Sequence, residues 1–534
     1  MNSQKIFKSI LALLFVCTLL SCKSEEEDIK ENKLAYRQIR MKDLFGINAF
    51  EWDFLQNPHG NNDGNFIYEP KMDLMKSFSG VRHYMDWDKI EDKEGVYSFD
   101  PTTKGGWNYD LVYERCKMEG IFVLSCLKNV PDWLYKTYPP GQQEVDVVPL
   151  KYGANREDPK SYKEVARAIF QFSARYGSNK NIDTNLITLF KKPRWTNDRV
   201  NHMKVGLNLI KYVECNNEPD KWWKGKKAQQ TGREYAANLS AFYDGHKGTM
   251  GKNAGAKTAD PNMKVVIGGL ARADVKYIRE IVEWCKENRG YKPDGSVDLC
   301  FDVINFHMYS NDNTTWFAKF KPNNKGVAPE TNENMGKIAD TMVSLGEELG
   351  NLEVWTTETG YDLNEESVQS ARPIGSKSIL LTQADWILRT SLMYARHGLN
   401  RVFFYQAYDA HSPGFAAKTP FETSGLLNEE KRRPAADYIL QTTKLMGEYI
   451  YSNTINNDPI VDVYTYKGKN MYILVVPDQN DRKEKYKLNL KEAKTARVHY
   501  LKPGADQMDY KDFPTSNGKI ELEVTETPIF VEAI

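Results

Sequence analysis

The sequence predicts an α/β protein: a closed (β/α)8 barrel, the TIM-barrel architecture, with a small all-β sandwich behind it. Three observations carry this. Short apolar runs alternate with longer amphipathic stretches from about residue 43 onward. Glycines stand where the helical stretches end and the next apolar run begins, at Gly120, Gly350 and Gly398. Glycine at that point supplies the left-handed turn that closes a helix. After about residue 440 the alternation gives way to short segments separated by turn residues.

Eight runs qualify as barrel strands: 44–50, 81–87, 121–127, 210–216, 265–270, 303–309, 352–357 and 401–406. Most begin as near-continuous apolar stretches, as strands covered on both faces do. The helices between them show one apolar face each. Ile278, Ile281, Val282 and Cys285 recur at three- and four-residue steps behind Asp274, a residue suited to cap a helix start. Ile338, Met342, Leu345 and Leu349 repeat the pattern. Eight parallel strands with intervening helices close into a barrel whose chemistry sits at the strands' C-terminal ends. An open doubly wound sheet would need a glycine-rich phosphate turn after its first strand, and none is visible. The segments 461–466, 470–476, 485–490, 496–501, 520–524 and 528–532 then read as the strands of a sandwich. Turns such as Lys502-Pro503-Gly504 and Ser516-Asn517-Gly518 separate them.

The N-terminus reads as an export signal. Lys5 and Lys8 flank the start of a short apolar stretch, 10–20, too short to span a bilayer. Leu19-Leu20-Ser21-Cys22 resembles the bacterial lipobox, in which the cysteine, here Cys22, is lipidated. Lys23-Ser24 and the acidic run 25–28 resemble the surface-export signal of Bacteroidetes-type lipoproteins. The expected organisation is a signal peptide over 1–22, an acidic tether over 23–42, the barrel over 43–440 and the sandwich over 441–534. The implied location is the outer membrane, lipid-anchored and facing the cell exterior.

Lys plus Arg and Asp plus Glu are 72 each in 534 residues, so the chain is no polycation and no nucleic-acid partner is expected. Five cysteines beyond Cys17 and Cys22 show no disulfide framework. The eight histidines show no metal-binding spacing, so no metal or other cofactor is expected. Aromatic content of 12% suits stacking on sugar rings, though the same rings also fill cores.

The chemistry concentrates at two strand ends. The fourth strand runs into Asn216-Asn217-Glu218-Pro219-Asp220 and the seventh into Thr356-Thr357-Glu358-Thr359-Gly360. Each places a glutamate at the C-terminal lip of a buried strand. One such glutamate is usually a salt-bridged rim residue. Two on one barrel face are what glycosidic-bond hydrolysis needs, an acid for the leaving oxygen and a carboxylate across the anomeric carbon.

Asn217-Glu218-Pro219 and Thr357-Glu358 resemble the signature of glycoside hydrolase clan A, and the resemblance spans about residues 43 to 440. It implies a retaining enzyme with Glu218 as general acid/base, Glu358 as nucleophile and Asn217 bonded to the sugar 2-hydroxyl. Arg82 resembles the arginine that lies under the nucleophile and keeps it ionised. His307 and Tyr309 are two apart and so point the same way. Tyr309 would reach Glu358, and His307 the acid/base or the sugar; both could instead be satisfied within the barrel. His83 and Tyr84 are weaker candidates, since only one of two adjacent strand residues faces inward.

The eighth strand departs from the clan pattern. Where many members carry a tryptophan as the floor of the sugar site, this chain reads Phe403-Phe404-Tyr405-Gln406, leaving Tyr405 or Gln406 to serve. Trp222 and Trp223 follow the acid/base and suit sugar platforms. Trp87 and Trp133 lie just past the second and third strands and are further candidates, or simply buried. Within the clan the nearest likeness is family 39, the xylosidases and iduronidases. The implied substrate is a plant, algal or host polysaccharide or its oligosaccharides, with endo and exo action both open. Long loops, including 311–334 with Trp316, suit either. The alternative is a catalytically inactive barrel serving as a surface glycan-binding lipoprotein. Its mark would be loss of one carboxylate or of Asn217, and all three are present.

Overall fold

The computed structural model of the chain describes residues 39–60, 64–312, 325–410 and 421–534. The export signal, Cys22, the acidic tether and Trp316 lie outside the described residues.

Eight strands form a closed barrel: β1 (Phe45–Ala49), β2 (Gly80–Asp86), β3 (Phe122–Lys128), β4 (Tyr212–Cys215), β5 (Lys264–Ile267), β6 (Val303–His307), β7 (Glu353–Thr359) and β8 (Arg401–Phe404). Neighbours pair parallel in chain order and β8 closes on β1, with Phe45 opposite Val402. Each of the eight expected runs contributes one strand. The sixth and eighth stop short of the expected ends, which leaves Tyr309 and Tyr405 in the loops beyond.

Helices connect the strands for the reasons the sequence offers. Asp274 caps the helix Val275–Asn288 by accepting the Lys276 N–H, and Ile278, Ile281, Val282 and Cys285 form its buried face. Thr231 and Glu234 make a reciprocal capping box on Gly232–Asp244. Gly120, Gly350 and Gly398 all hold positive φ, between 72° and 95°, at the points where helices release the chain toward β3, β7 and β8.

The lower barrel interior is apolar. Leu124, Tyr212, Val266, Val303, Trp355 and Phe403 pack together with Phe122 against them. Gly46 on β1 makes room for this plug, since a Cβ there would lie 2.4 Å from the Phe403 ring. The described cysteines, Cys116, Cys126, Cys215, Cys285 and Cys300, are buried and free.

A short hairpin, β9 (Leu427–Asn428) and β10 (Lys431–Arg432), and the helix Pro434–Met446 lead to the C-terminal domain. Its six-stranded sheet has the order β11 (Ile450–Asn457), β12 (Ile460–Tyr466), β13 (Lys469–Val475), β18 (Ile529–Ala533), β15 (Thr495–Tyr500), β16 (Asp509–Pro514). A second sheet pairs β14 (Glu484–Asn489) with β17 (Lys519–Val524). Val461, Val463, Leu474, Leu488, Leu522, Val524 and Val531 fill the space between the sheets. The opposite face of the large sheet, with Tyr464, Met471, Ile473 and Phe530, joins the main core of the barrel. Arg389, from the barrel helix Ile379–Arg396, fastens the two parts by donating to the Asp478 carbonyl at 3.0 Å. Strands β11 and β16 have no counterpart among the expected segments. Both are mainly polar edge strands, β16 largely exposed and β11 half-buried, so neither carries the apolar alternation that marks a covered strand.

Candidate active site

The site stands on a layer of buried polar groups directly above the apolar plug. Asn48, Arg82, Glu214, Asn305 and Thr357 come from five different strands and all are buried. Arg82 is its centre. Its Nε and one terminal nitrogen donate to the two oxygens of Glu214 at 2.6 and 2.9 Å, a bidentate pair. The other terminal nitrogen donates to Asn48 Oδ1 at 3.0 Å, Tyr84 Oη at 2.7 Å and Glu358 Oε1 at 2.9 Å. Glu214 also accepts from Asn305 Nδ2 at 3.1 Å and from the Gly269 N–H at 3.0 Å. A buried ion pair is tolerable only when its remaining hydrogen-bonding capacity is met, and here it is met from several strands.

The two strand-end glutamates project above this layer. Thr357 and Glu358 are adjacent, yet both reach the site. Thr357 Oγ1 accepts from Asn305 at 2.8 Å, while Glu358 meets Arg82. The ladders on both sides of β7 slip here: Phe306 pairs with Thr356 but His307 with Glu358, and Val402 pairs with Thr356 but Phe404 with Thr359. An irregularity of this kind re-aims a side chain, and here it turns Glu358 into the barrel mouth. Glu218 lies three residues past β4 with a φ of 48°, in the left-handed region, as does Asn216 at 67°. A non-glycine residue held there costs about 1–3 kcal/mol. The loop is secured by Asp220, whose carboxylate accepts the N–H groups of Ala271 and Arg272 at 2.9 and 3.0 Å.

The glutamates have different surroundings. Glu358 accepts from Arg82, from Tyr84 through a very short hydrogen bond, and from Tyr309 Oη at 3.1 Å. Burial pushes its pKa up, but the charges of His307 and Arg82 and the hydrogen bonds from Tyr84 and Arg82 outweigh burial and hold it below the ordinary carboxylate value. Glu218 is more open. It meets His307 Nδ1 at 3.0 Å and Asn217 Nδ2 at 3.5 Å. Burial pushes His307 down, yet the charge of Glu358 and the hydrogen bond with Glu218 raise it above its ordinary value. Its Nε2 meets Thr357 Oγ1 at 3.1 Å. Gly269 leaves the space for this ring, since a Cβ there would lie 1.9 Å from His307 Nε2.

One ligand atom each from Glu218, His307 and Glu358 lie within 4.8 Å of one another, and this is the set through which the site could hold a metal. Arg82 already balances the charge of Glu358, which weakens the case for a second cation there.

Most residues expected from the sequence converge on one cavity of about 740 Å³. Asn217, Glu218, Trp222, Trp223, His307, Tyr309, Glu358 and Tyr405 all line it. Arg82 lies beneath, fully buried. Trp222 and Trp223 are about half exposed and meet edge to face, with the Arg272 guanidinium 4.2 Å over the Trp222 ring. Gln406 does not reach this cavity. It is buried beside the Phe421 carbonyl, so of the two expected floor residues Tyr405 alone faces the carboxylates. Trp87 and Trp133 are also absent from the lining. They pack edge to face, and both indole N–H groups are taken up by Glu91. On β2, Tyr84 faces inward with Arg82, while His83 points outward to Tyr113 and Glu51.

Sequence reasoning missed Asn48, Glu214, Asn305, Phe50, Lys128 and Gly269. The first three had a signal: a polar residue inside an otherwise apolar strand, where an unpaired group would be costly. Phe50 and Lys128 line the cavity with nothing local to mark them, and Gly269 acquires meaning only against His307.

No family model matches the sequence, and no curated protein does. Solved structures do match. A family 39 glycoside hydrolase from Bacteroides cellulosilyticus WH2 superposes with a TM-score of 0.60 at 15% identity, over 93% of this chain and 82% of that one. The chain shares their fold. A GH30 endoxylanase from Clostridium papyrosolvens C71 gives 0.51 at 13% identity, over 93% and 97% of the two chains. A monomeric β-xylosidase from Caulobacter crescentus CB15 gives the same score, identity and coverage. This likeness of fold agrees with the resemblance carried by the motifs at β4 and β7.

Proposed function

We propose that the protein is a retaining glycoside hydrolase that cleaves β-glycosidic bonds of a polysaccharide or its oligosaccharides. The observation that carries the reading is the pair Glu218 and Glu358, joined through His307 but held differently. In the proposed reaction Glu218 protonates the glycosidic oxygen while Glu358, kept ionised by Arg82, attacks the anomeric carbon and forms a covalent glycosyl-enzyme. Glu218 then takes a proton from water, which attacks the same carbon and releases Glu358.

The spacing of the two carboxylates supports retention over inversion. One oxygen of Glu218 and one of Glu358 lie within 4.8 Å of each other. Retaining pairs stand about 5–5.5 Å apart, whereas inverting pairs leave about 6.5–9.5 Å for a water. The hydroxyl of Tyr309 and the guanidinium of Arg82 hold Glu358 as an anion, which leaves Glu218 as the proton donor of the pair. Asn217, whose Oδ1 accepts from Arg82 at 2.8 Å and whose Nδ2 donates to Glu218 at 3.5 Å, has a second Nδ2 hydrogen for a sugar 2-hydroxyl.

The decisive experiment is reducing-end release across a polysaccharide panel by protein starting after Asp28, beside the Glu358→Gln variant. Xylan heads the panel, because two of the similar structures are of an endoxylanase and a β-xylosidase. Release by the unaltered protein alone, with the anomeric configuration retained by NMR, supports the proposal. Equal release by Glu358→Gln refutes the nucleophile. Binding of one glycan without release favours the inactive glycan-binding alternative. We further propose that Cys22 is lipidated and anchors the protein on the outer membrane facing outward. Cys22→Ala then releases it from membranes, and continued retention refutes this.

A further inference from the structure

A second cavity of about 650 Å³ adjoins the catalytic one, and Phe50 and Tyr405 line both. Beyond those two rings it is built from the loops after β1 and β8, with Trp52, Asp53, Lys71, Tyr408 and Asn428 in its walls. The catalytic cavity extends the other way, past Glu218 to Trp222, Trp223 and Arg272 in the loops after β4 and β5.

The chemistry of the carboxylate pair gives these two directions different meanings. A proton donor must face the leaving oxygen, so the departing part of the chain lies on the Glu218 side, toward Trp222 and Trp223. The sugar that is attacked sits over Glu358. Whatever extends from it on the non-reducing side must run away from Glu218, past Tyr84, Phe50 and Tyr405. That path leads into the second cavity.

The path carries the groups a sugar needs. Tyr84 stacks on Phe50 at 5.3 Å and 20°, and Phe50 on Trp52 at 4.3 Å and 7°. The three near-parallel rings run from the Glu358 contact into the second cavity. Polar groups stand beside them. Asp53 is 3% exposed and its Oδ2 accepts the Phe50 N–H at 2.9 Å. Asn428, exposed on β9, offers its amide in the same cavity. Lys71, whose Nζ donates to the Trp52 carbonyl at 3.1 Å, lies 4.9 Å over the Tyr408 ring and steadies both aromatic residues.

We infer that the second cavity is a glycone subsite that binds at least one further sugar on the non-reducing side of the cleaved bond, so that the enzyme does not act by removing single terminal sugars. The inference rests on the glycosidase reading above and narrows the action which that reading leaves open, by excluding release of one terminal sugar at a time. Burial raises the Asp53 pKa to about 7. Near neutrality its carboxyl is therefore present in both forms, able to donate to or accept from a sugar hydroxyl.

The test compares nitrophenyl β-glycosides of one sugar and of two, in matched pairs such as xylose with xylobiose and glucose with cellobiose. The nitrophenyl group occupies the leaving side in every case, so the second sugar alone reaches the second cavity. For the sugar that is turned over, kcat/KM for the disaccharide is expected to exceed that for the monosaccharide at least about ten-fold, with intact disaccharide released. Trp52→Ala and, more gently, Asn428→Ala bring that ratio down. Asn428→Ala shortens one exposed side chain, so loss of folding cannot stand in for loss of the subsite. A ratio near one in the unaltered protein, or a high ratio that both variants leave in place, overturns the glycone subsite while the glycosidase reading stands. Silence of every glycoside and of the polysaccharide panel overturns both.

Discussion

The lower and upper halves of the barrel are made by the same strands and obey the same two-residue alternation, yet their interiors are opposites. Along β3 the inward positions pass from Leu124 to Cys126 to Lys128. Along β6 they pass from Val303 to Asn305 to His307, and along β4 from Tyr212 to Glu214. Within two residues a close-packed apolar plug becomes an ion-paired network. The plug gains free energy from every contact, at about 25 cal/mol for each Å² removed from water. The network removes charges from water at a cost of several kcal/mol each and offsets this only by pairing completely. The lower half therefore holds the barrel closed, and the upper half is what that stability supports. A substitution in either half should reveal which kind of layer it touches.

The largest separation is expected at Glu218. Glu218→Ala should lower kcat on natural substrates by about 10²–10⁴-fold, the ordinary contribution of an acid/base, while leaving the fold intact. Azide should restore turnover of activated aryl glycosides by replacing the missing base. Absence of rescue would count against the acid/base assignment.

Arg82→Met should cross the division by costing both activity and about 3–5 kcal/mol of stability. It leaves Glu214 and Glu358 as buried carboxylates without their cation. A denaturation midpoint equal to that of the unaltered protein would mean the network is not a balanced ionic layer.

Leu124→Ala, one layer down, should cost about 2–5 kcal/mol of stability, with kcat/KM per folded molecule unchanged. A selective loss of activity at full stability would erase the contrast between the halves.

Gly269→Ala falls on the boundary. A Cβ placed 1.9 Å from His307 Nε2 must displace that ring, and with it the partner of Glu218. A misplacement of about 1 Å in a catalytic constellation costs on the order of 10²-fold in rate. We expect a loss of that size in kcat together with about 1–3 kcal/mol of stability, the cost of overpacking a buried layer.

The smallest effect is on pH dependence. The folded-state pKa of Glu358 is held below its ordinary value of 4.5, so the anion persists as pH falls through 4.5. The stability it contributes is present above the unfolded pKa and is lost as pH falls through the lower, folded one. The acidic limb of kcat/KM should accordingly lie below 4.5 and move upward in Arg82→Lys, whose compact ammonium cannot reach Glu214 and Glu358 together. An acidic limb at or above 4.5 in the unaltered protein would contradict the assignment.

Much of the site was legible before any fold was known. Glu218, Glu358, Asn217, His307 and Tyr309 follow or end apolar strands, and a strand that ends in a carboxylate announces itself. Trp87 and Gln406 mark the limit of that reasoning, Trp87 because it packs in the core and Gln406 because it lines the adjoining cavity instead. Position just past a strand places a residue near the rim but does not fix which way it turns. Trp87 turns into the core toward Glu91, and Gln406 turns away from the carboxylates. The edge strands β11 and β16 were not legible, because a mainly polar edge strand carries no apolar alternation to read.

By itself the sequence determined the eight-strand alternation, the appended β domain and the two glutamates, since each depends on local periodicity or a short motif. Tertiary structure alone decided that Thr357 and Glu358 both enter the site, because that requires a slip in the ladders on either side of β7. It alone decided that Arg82 binds Glu214 as firmly as Glu358, and that Gly269 yields its space to His307. Closing a barrel brings residues more than a hundred positions apart into contact, and the energies of those contacts leave no periodic trace along the chain.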